Sequence, residues 1–186
     1  MFSVRFHGRG GQGVVTAAEL LASAAFSEGR HAQAFPSFGS ERMGAPVMSF
    51  CRIDDRPIRT HEPVTEPDAL IVQDPTLLHQ PGLLDGLRPD GYLLVNSPGI
   101  ITKLAVSPGH LIVVPGTALA MAHLGRPLPG AVMLGGFAAL TGVVTLDSVL
   151  AAIAERFAGQ VAAGNAAAAR DAYEYVTDQK KALTDA

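Results

Sequence analysis

The sequence predicts an α/β fold, and three observations carry that prediction. Short apolar runs of strand length alternate with segments in which apolar residues recur at helical spacing. A glycine-rich loop joins the first predicted strand to the first predicted helix. The 186 residues are 48% hydrophobic and 17% charged, as is typical of a chain with a well-buried core. Together these features indicate an open, mostly parallel, Rossmann-like sheet with helices on both faces.

The predicted elements follow one another without an internal repeat or a linker. Six segments are predicted strands, the third returning antiparallel to its predecessor: 4–6, 31–35, 46–53, 69–72, 91–96 and 111–115. Five segments are predicted helices: 14–26, ended by Gly29; 117–125, capped by Thr117 and ended by Gly125; 130–141; 145–157, opened by Thr145 and Asp147; and 162–175. Residues 76–87 are expected to form a short helical or irregular crossover, and 180–186 a frayed tail. We expect a single domain over residues 1–178, followed by a C-terminal tail over 179–186.

Composition and charge argue against two classes of partner. The formal net charge is −3 and no basic cluster stands out, so we expect no nucleic-acid partner. The longest apolar runs are too short, and too interrupted by Gly and Pro, to span a membrane. The N-terminus resembles neither a signal peptide nor a transit peptide, so a cytoplasmic protein is expected.

The single cysteine, Cys51, restricts metal and redox chemistry. One cysteine permits neither an intramolecular disulfide nor a cysteine-ligated cluster within the chain. Cys51 lies in an alternating run and is predicted to be a buried strand residue, with a catalytic thiol as the alternative. The six histidines are scattered without the spacing of a metal site, so no metal ligand is predicted.

The glycine loop is the first candidate site. Its glycines fit the pattern G-x-G-x-x-G, permit positive φ and allow close approach to the backbone, while the following helix start offers free N–H groups to an anion. A dinucleotide site would also need an acidic residue near the end of the second strand, where this chain has only 33–36, Gln-Ala-Phe-Pro. Three interpretations remain open: tight strand–helix packing, contact with a phosphate or cofactor, and contact with a partner subunit. The loop consists of Gly8, Arg9, Gly10, Gly11, Gln12 and Gly13.

Several longer segments resemble one known family. Residues 7–16, His-Gly-Arg-Gly-Gly-Gln-Gly-Val-Val-Thr, resemble the opening of the γ subunit, or γ domain, of pyruvate and related 2-oxoacid:ferredoxin oxidoreductases. The resemblance covers nearly the whole chain, continuing through 34–42, 44–47, 66–68, 132–135 and Asn165. The chain departs from the family pattern at Met43 and Met48, where a basic residue is common, and at Pro129-Gly130, where Asn is common.

The resemblance implies a subunit of a larger enzyme that oxidatively decarboxylates a 2-oxoacid and transfers the acyl group to coenzyme A. The substrates of the family include pyruvate, branched-chain 2-oxoacids, 2-oxoglutarate and aryl glyoxylates. The expected partners are α, β and ferredoxin-like subunits, which would hold thiamine diphosphate, Mg²⁺ and iron–sulfur clusters. This chain alone is expected to bind none of these groups. The alternatives are a stand-alone Rossmann-like nucleotide-binding module and a scaffold without a ligand.

Two further polar groups are candidates for contacts in such a complex. The loop after the second strand carries Ser37, Glu41 and Arg42 and is either solvated or placed over the active site of a neighbouring subunit. Arg52, Arg56 and Arg59 alternate near a turn and are either an exposed strand end or a site for coenzyme A phosphates. The predicted cofactor-binding set is the glycine loop together with Ser37, Glu41 and Arg42, and no catalytic residue is assigned.

Overall fold

The fold, in a computed structural model that describes residues 1–37, 43–101, 104 and 110–185, is built on a six-stranded sheet. The strands are β1 (Phe2–Arg9), β2 (His31–Pro36), β3 (Pro46–Asp54), β4 (Ala69–Val72), β5 (Tyr92–Asn96) and β6 (Leu111–Val114). The α-helices are α1 (Val14–Ser27), α2 (Gly116–Leu124), α3 (Gly130–Thr141), α4 (Leu146–Arg156) and α5 (Gly159–Thr184), and a 3-10 helix spans Pro75–His79. Among the described helices, none combines the length and the apolar character needed to cross a membrane.

The sheet is mostly parallel, with one reversed strand. In space the strands follow the order β2-β3-β1-β4-β5-β6. β3 pairs antiparallel with both β1 and β2, whereas β1, β4, β5 and β6 pair in parallel. The predicted α/β class, the mostly parallel sheet and the antiparallel return of the third strand are therefore confirmed.

The two faces of the sheet are covered differently. On one face, side chains such as Phe6, Ile71 and Leu94 pack in the same core as the buried residues of all five α-helices. On the other face, Leu70 and Val95 pack against the 3-10 helix and the connections that follow it. Helices were expected on both faces, but within the described ranges this second face carries a 3-10 helix and turns, and no α-helix. The β4–β5 connection is rich in Pro and Gly, which favours turns over an α-helix.

Two local predictions are wrong. Thr117 does not cap α2 with its side chain, because the helix begins at Gly116 and the N–H of Thr117 donates to Oδ1 of Asn96 at 3.0 Å. The tail from residue 180 is not frayed over the described residues, because α5 continues to Thr184. Lys180 Nζ donates to the carbonyl oxygens of Ala139 and Leu140 at the end of α3, which fixes this last part of α5.

Glycines set the distance between the helices of the main core. A Cβ on Gly135 of α3 would overlap the backbone carbonyl of Ala169 in α5. A Cβ on Gly164 of α5 would lie 2.8 Å from the carbonyl oxygen of His123 in α2. The backbones of α2, α3 and α5 therefore approach more closely than any larger residue at these positions would allow.

Cys51 is fully buried in β3, as predicted for a strand residue. Burial raises the pKa of its thiol, so the thiolate needed for nucleophilic chemistry is disfavoured. This environment favours the packing interpretation of Cys51 over the catalytic one.

Candidate functional site

The glycine loop lies at the edge of the sheet where the parallel strands end. β1 ends at Arg9, β4 ends just before Gln73 and Asp74, and β5 ends at Asn96. Ligands of open α/β sheets bind at this carboxyl edge. Ser37, which follows β2, reaches the same edge, since its N–H donates to the carbonyl oxygen of Met48 near the start of β3.

The loop leaves the first turn of α1 without a side-chain cap. Gly13 is the N-cap residue in the left-handed conformation, with φ of 75°, and makes no capping hydrogen bond. The N–H groups of Val14, Val15 and Thr16 lack partners within the helix and lie at its positive dipole end. This arrangement suits an anionic ligand.

Other glycines of the loop serve packing. A Cβ on Gly8 would lie 2.5 Å from Cγ2 of Val14, so Gly8 allows β1 and α1 to pack tightly. Gly11 has φ of 91°, and a Cβ there would lie 2.5 Å from Sδ of Met43. Gly10 forms a parallel bridge with Met43. The packing interpretation therefore fits Gly8, while Gly13 faces open space, where a Cβ would meet no atom within 4 Å.

Arg9 and Gln12 are held within the protein. The guanidinium of Arg9 donates to the carbonyl oxygen of Gly44 at 3.1 Å and to Oγ1 of Thr76 at 2.9 Å, and its Nε lies 3.3 Å from Oδ2 of Asp74. Gln12 donates from Nε2 to Asp74 at 3.0 Å, and its Oε1 accepts from the N–H of Arg9 at 2.7 Å. Both side chains fix the shape of the loop.

A cleft of about 590 Å³ opens beside the first turns of α1 and is named here the α1 cleft. Its walls come from the glycine loop and α1, from the α2–α3 connection, and from the α4–α5 junction. Arg126 and His123 line it, and among its described lining residues none is acidic. Apolar side chains form much of the remaining wall: Val14, Val15, Leu20, Leu124, Leu128, Phe157 and Val161. The cleft therefore combines helix N–H groups that lack partners within α1, a positive charge and an apolar wall.

Asn165 connects the resemblance with this cleft. It is 5% exposed and lines the α1 cleft, and its Nδ2 donates to the carbonyl oxygen of Val161 at 3.0 Å. Gly130, at the start of α3, lies across from the glycine loop, since a Cβ there would be 2.9 Å from the carbonyl oxygen of Gly13. The glycine loop and Asn165, which both carried the resemblance, thus line one cleft together with Gly130, where the chain departs from the family pattern.

The arginines after β2 that were candidates for coenzyme A contacts, Arg52, Arg56 and Arg59, do not line the α1 cleft. Glu41 and Arg42 lie outside the described residues. Arg52 is buried on the face of β3 that points away from the α-helices, and its guanidinium lies 5.3 Å from the centre of the Phe35 ring. Arg56 and Arg59 are exposed beyond the far end of β3, as expected of an exposed strand end.

His123, Arg126 and Asp74 were not identified from the sequence. His123 lies in the last turn of α2 and Arg126 on the α2–α3 connection, both exposed places where a solvated side chain is the ordinary interpretation. Asp74 did carry a signal, because an acidic residue directly after a buried parallel strand lies at the carboxyl edge of the sheet.

Hydrogen bonds determine the ionisation of Asp74. Burial alone would raise its pKa, but hydrogen bonds from Thr76 and Gln12 and the charge of Arg9 outweigh burial and lower the pKa below its ordinary value. Asp74 is therefore ionised at neutral pH and can balance the charge of Arg9.

His7, directly before the loop, is buried beside the cationic Arg5. Its Nε2 accepts from Nε of Arg5 at 3.0 Å. Burial, and after it the charge of Arg5, lowers the pKa of His7 to about 4. His7 therefore stays neutral in the folded chain at pH values where an unfolded histidine is protonated.

This pKa predicts a loss of stability in acid. Between pH 6.5 and about 4 the unfolded chain binds more protons at His7 than the folded chain, so the free energy of unfolding falls as the pH falls through that window. At about 1.4 kcal/mol per pH unit, the loss approaches roughly 3 kcal/mol at the lower end. His7→Gln keeps an acceptor for Arg5 and cannot titrate, so pulse proteolysis of the assembled complex in urea should show a shallower pH dependence of the unfolding of this chain for the variant. Equal pH dependence of the two proteins would exclude His7 as the cause.

Comparison with known proteins identifies the family. The sequence profile of the pyruvate ferredoxin/flavodoxin oxidoreductase family matches residues 3–175. The pyruvate synthase subunit PorC of Methanothermobacter marburgensis is 48% identical over 174 residues, which cover 94% of this chain and 97% of the relative. The common γ subunit of the pyruvate and ketoisovalerate oxidoreductases of Thermococcus kodakarensis is 48% identical over 177 residues, 93% of this chain and 96% of that subunit.

A solved structure agrees with the sequence relatives. The crystal structure of the pyruvate oxidoreductase subunit PORC from Thermotoga maritima superimposes with a TM-score of 0.82 at 37% identity, covering 93% of this chain and 95% of that one. The chain therefore belongs to the pyruvate ferredoxin/flavodoxin oxidoreductase family, as a γ-type subunit of an oxidoreductase.

Proposed function

We propose that this chain works in the cytoplasm as the γ-type subunit of a 2-oxoacid:acceptor oxidoreductase that converts a 2-oxoacid and coenzyme A to acyl-CoA and CO₂. Pyruvate is the first substrate to test, because the relatives include a pyruvate synthase subunit. A branched-chain 2-oxoacid is the second, because another relative is a common subunit of pyruvate and ketoisovalerate enzymes. Residues 1–178 are proposed to act as one γ-type domain.

The observation that carries the coenzyme A proposal is the α1 cleft. Coenzyme A combines phosphates with a long, largely uncharged arm. The unpaired N–H groups at the start of α1 and the guanidinium of Arg126 suit the phosphates, and no described acidic residue lines the cleft to repel them. The apolar wall suits the arm. Within the predicted set, Gly11, Gln12 and Gly13 line this cleft.

The other predicted residues enter the proposal in different ways. Gly8 and Gly10 give the loop its shape, and Arg9 fixes it from within. Ser37 is proposed to join the site through its place at the same sheet edge, and Glu41 and Arg42 are proposed to meet charges of a neighbouring subunit.

This chain does not fit the other groups that such an enzyme needs. An iron–sulfur cluster requires several thiolates, and the chain has one cysteine, which is buried. Among the described residues no three His, Cys, Asp or Glu side chains gather in a way that could hold a metal ion. Thiamine diphosphate, Mg²⁺ and the clusters are therefore assigned, as part of the proposal, to the α, β and ferredoxin-like subunits, and no step of the reaction is assigned to residues of this chain.

Affinity purification of the tagged chain from its own cells tests this assignment. We expect it to bring down partner subunits with iron–sulfur absorbance and bound thiamine diphosphate. The purified complex should reduce a viologen dye only when both a 2-oxoacid and coenzyme A are present. The same chain expressed alone should be colourless and, because its small-residue helices suit a large interface, prone to aggregation.

Two results would contradict the proposal. One is recovery of the chain without partners as a stable monomer, and the other is dye reduction that does not depend on coenzyme A. Titration of the isolated chain with NAD would then test the stand-alone nucleotide-binding alternative. That alternative lacks the acidic residue expected at the end of β2, where Phe35 and Pro36 stand.

A further inference from the structure

Asp74 is the residue on which the contacts of the glycine loop converge. Its Oδ1 accepts from the N–H of Thr76 at 3.0 Å and from the Thr76 hydroxyl at 2.6 Å. Its Oδ2 accepts from Nε2 of Gln12 at 3.0 Å and lies 3.3 Å from Nε of Arg9. The side chain is 14% exposed, so these charge-assisted contacts are partly shielded from water. One carboxylate thus joins the end of β4 to both polar side chains of the loop.

The loop needs such an attachment because its backbone is intrinsically free. Four of its six residues are glycine, which adopts many conformations at similar cost. Gln12 stands between Gly11 and Gly13, the two loop residues with positive φ. Its amide bridges the Asp74 carboxylate to the N–H of Arg9, so the position of Asp74 is transmitted to the backbone on both sides of Gly11.

We propose that Asp74 is a positioning residue that holds the glycine loop in the shape that presents the first turn of α1 to coenzyme A. This inference rests on the proposed function, because the proposed function assigns coenzyme A as the ligand of the α1 cleft. Asp74 itself contacts no substrate in this proposal. It acts through Gln12, and it holds Arg9 away from the ligand.

A purely electrostatic effect and a positioning role of Asp74 predict opposite changes in the Michaelis constant for coenzyme A. Asp74→Asn removes a negative charge from the loop and frees the guanidinium of Arg9. If charge governed the site, the variant would bind the phosphates of coenzyme A more tightly and its Michaelis constant would fall. If Asp74 positions the loop, the constant should rise, because an amide cannot accept from Gln12, Arg9 and Thr76 together.

The experiment compares Asp74→Asn with Asp55→Asn in the assembled complex. Asp55 is a matched control, since it also pairs with an arginine, Arg30 at 3.0 Å, but its side chain is 84% exposed. We expect Asp74→Asn to raise the Michaelis constant for coenzyme A roughly tenfold, with kcat and the constant for the 2-oxoacid nearly unchanged. Hydrogen exchange of peptides spanning residues 8–18 should be faster in this variant and unchanged in the control.

The two measurements separate the two ideas. If hydrogen exchange over residues 8–18 is unchanged in Asp74→Asn, or if the Michaelis constant for coenzyme A falls, the positioning role of Asp74 is overturned. Faster hydrogen exchange over residues 8–18 with an unchanged Michaelis constant for coenzyme A would mean that Asp74 fixes the loop but that the loop does not contribute to coenzyme A binding. This result overturns coenzyme A as the ligand of the α1 cleft. If Asp74→Asn fails to assemble, Thr76→Val replaces it, because this variant removes only the hydroxyl shared by Asp74 and Arg9 and should give the same changes at smaller size.

Discussion

Replacing Gly135 with alanine is expected to destabilise the chain by about 3 kcal/mol, the upper end of the usual cost of overpacking. The new Cβ would overlap the backbone carbonyl of Ala169 in α5, and a carbonyl within a helix cannot rotate away as a side chain can. Helices α3 and α5 would have to separate, which opens gaps around fully buried residues such as Phe137 and Val176.

Gly136→Ala is the matched control on the same helix. A Cβ at Gly136 would lie 3.3–3.6 Å from methyl groups of Val176, Val114 and Leu94, which can move by a few tenths of an ångström. Both substitutions gain the same helix propensity, about 1 kcal/mol, so their difference isolates the backbone overlap.

Pulse proteolysis of the complex in urea measures this difference, with the band of this chain as the signal. For Gly135→Ala the midpoint should fall by roughly 1 M or more, given a urea dependence of about 1–3 kcal/mol per molar. For Gly136→Ala it should stay near the wild-type midpoint. Similar midpoints for the two variants would mean that α3 and α5 can separate at little cost and that Gly135 is not required for their contact.

The strands were predictable because their signal is local. Residues 69–72 are four consecutive apolar side chains buried on both faces, and the structure places β4 at those residues. The same reasoning found β2, β5 and β6 to within one residue of each end.

What the sequence could not indicate depends on contacts between distant residues. The cap of α2 comes from Asn96, 21 residues earlier in the chain, whereas a local pattern suggested Thr117. The polar sequence at the end of α5 resembles a frayed tail, and the sequence does not show that Lys180 donates to a carbonyl oxygen at the end of α3. Helices were expected on both faces, but over the residues that the structure describes the second face carries no α-helix; the crossover after β4, expected to be short helical or irregular, holds the 3-10 helix and turns that include Gly82 and Gly86 at positive φ.

The candidate site likewise contains one part that is contiguous in sequence and another that only the fold brings together. The glycine loop is contiguous and has a known pattern, so it was found. The α1 cleft joins it to Arg126 and Asn165, more than 100 residues further along the chain, and only the fold brings these together. The contacts of Arg9 within the protein were not predictable either, because the sequence does not show that its guanidinium lies against Asp74 and Thr76.

Gly13→Ala is expected to raise the Michaelis constant of the assembled complex for coenzyme A by about tenfold or more. Gly13 lines the α1 cleft, and a Cβ there would meet no atom of the protein within 4 Å, so the methyl group would enter open space beside the first turn of α1. A ligand phosphate that approaches the N–H groups of Val14 to Thr16 would lose part of that space. A loss of about 1.4 kcal/mol in binding corresponds to the tenfold change.

Backbone strain must be separated from this steric effect, and Gly142→Ala provides the control. Gly13 has φ of 75° and Gly142 has φ of 65°, so alanine at either position carries a similar left-handed penalty, about 1–2 kcal/mol. Gly142 ends α3, and a Cβ there also meets no atom within 4 Å, but it does not line the α1 cleft. Steady-state kinetics should therefore show a raised constant for coenzyme A only in Gly13→Ala, with the constant for the 2-oxoacid unchanged in both variants. If Gly13→Ala assembles and its Michaelis constant for coenzyme A equals that of Gly142→Ala, the start of α1 does not contact the phosphates, and the loop serves strand–helix packing or contact with a partner subunit.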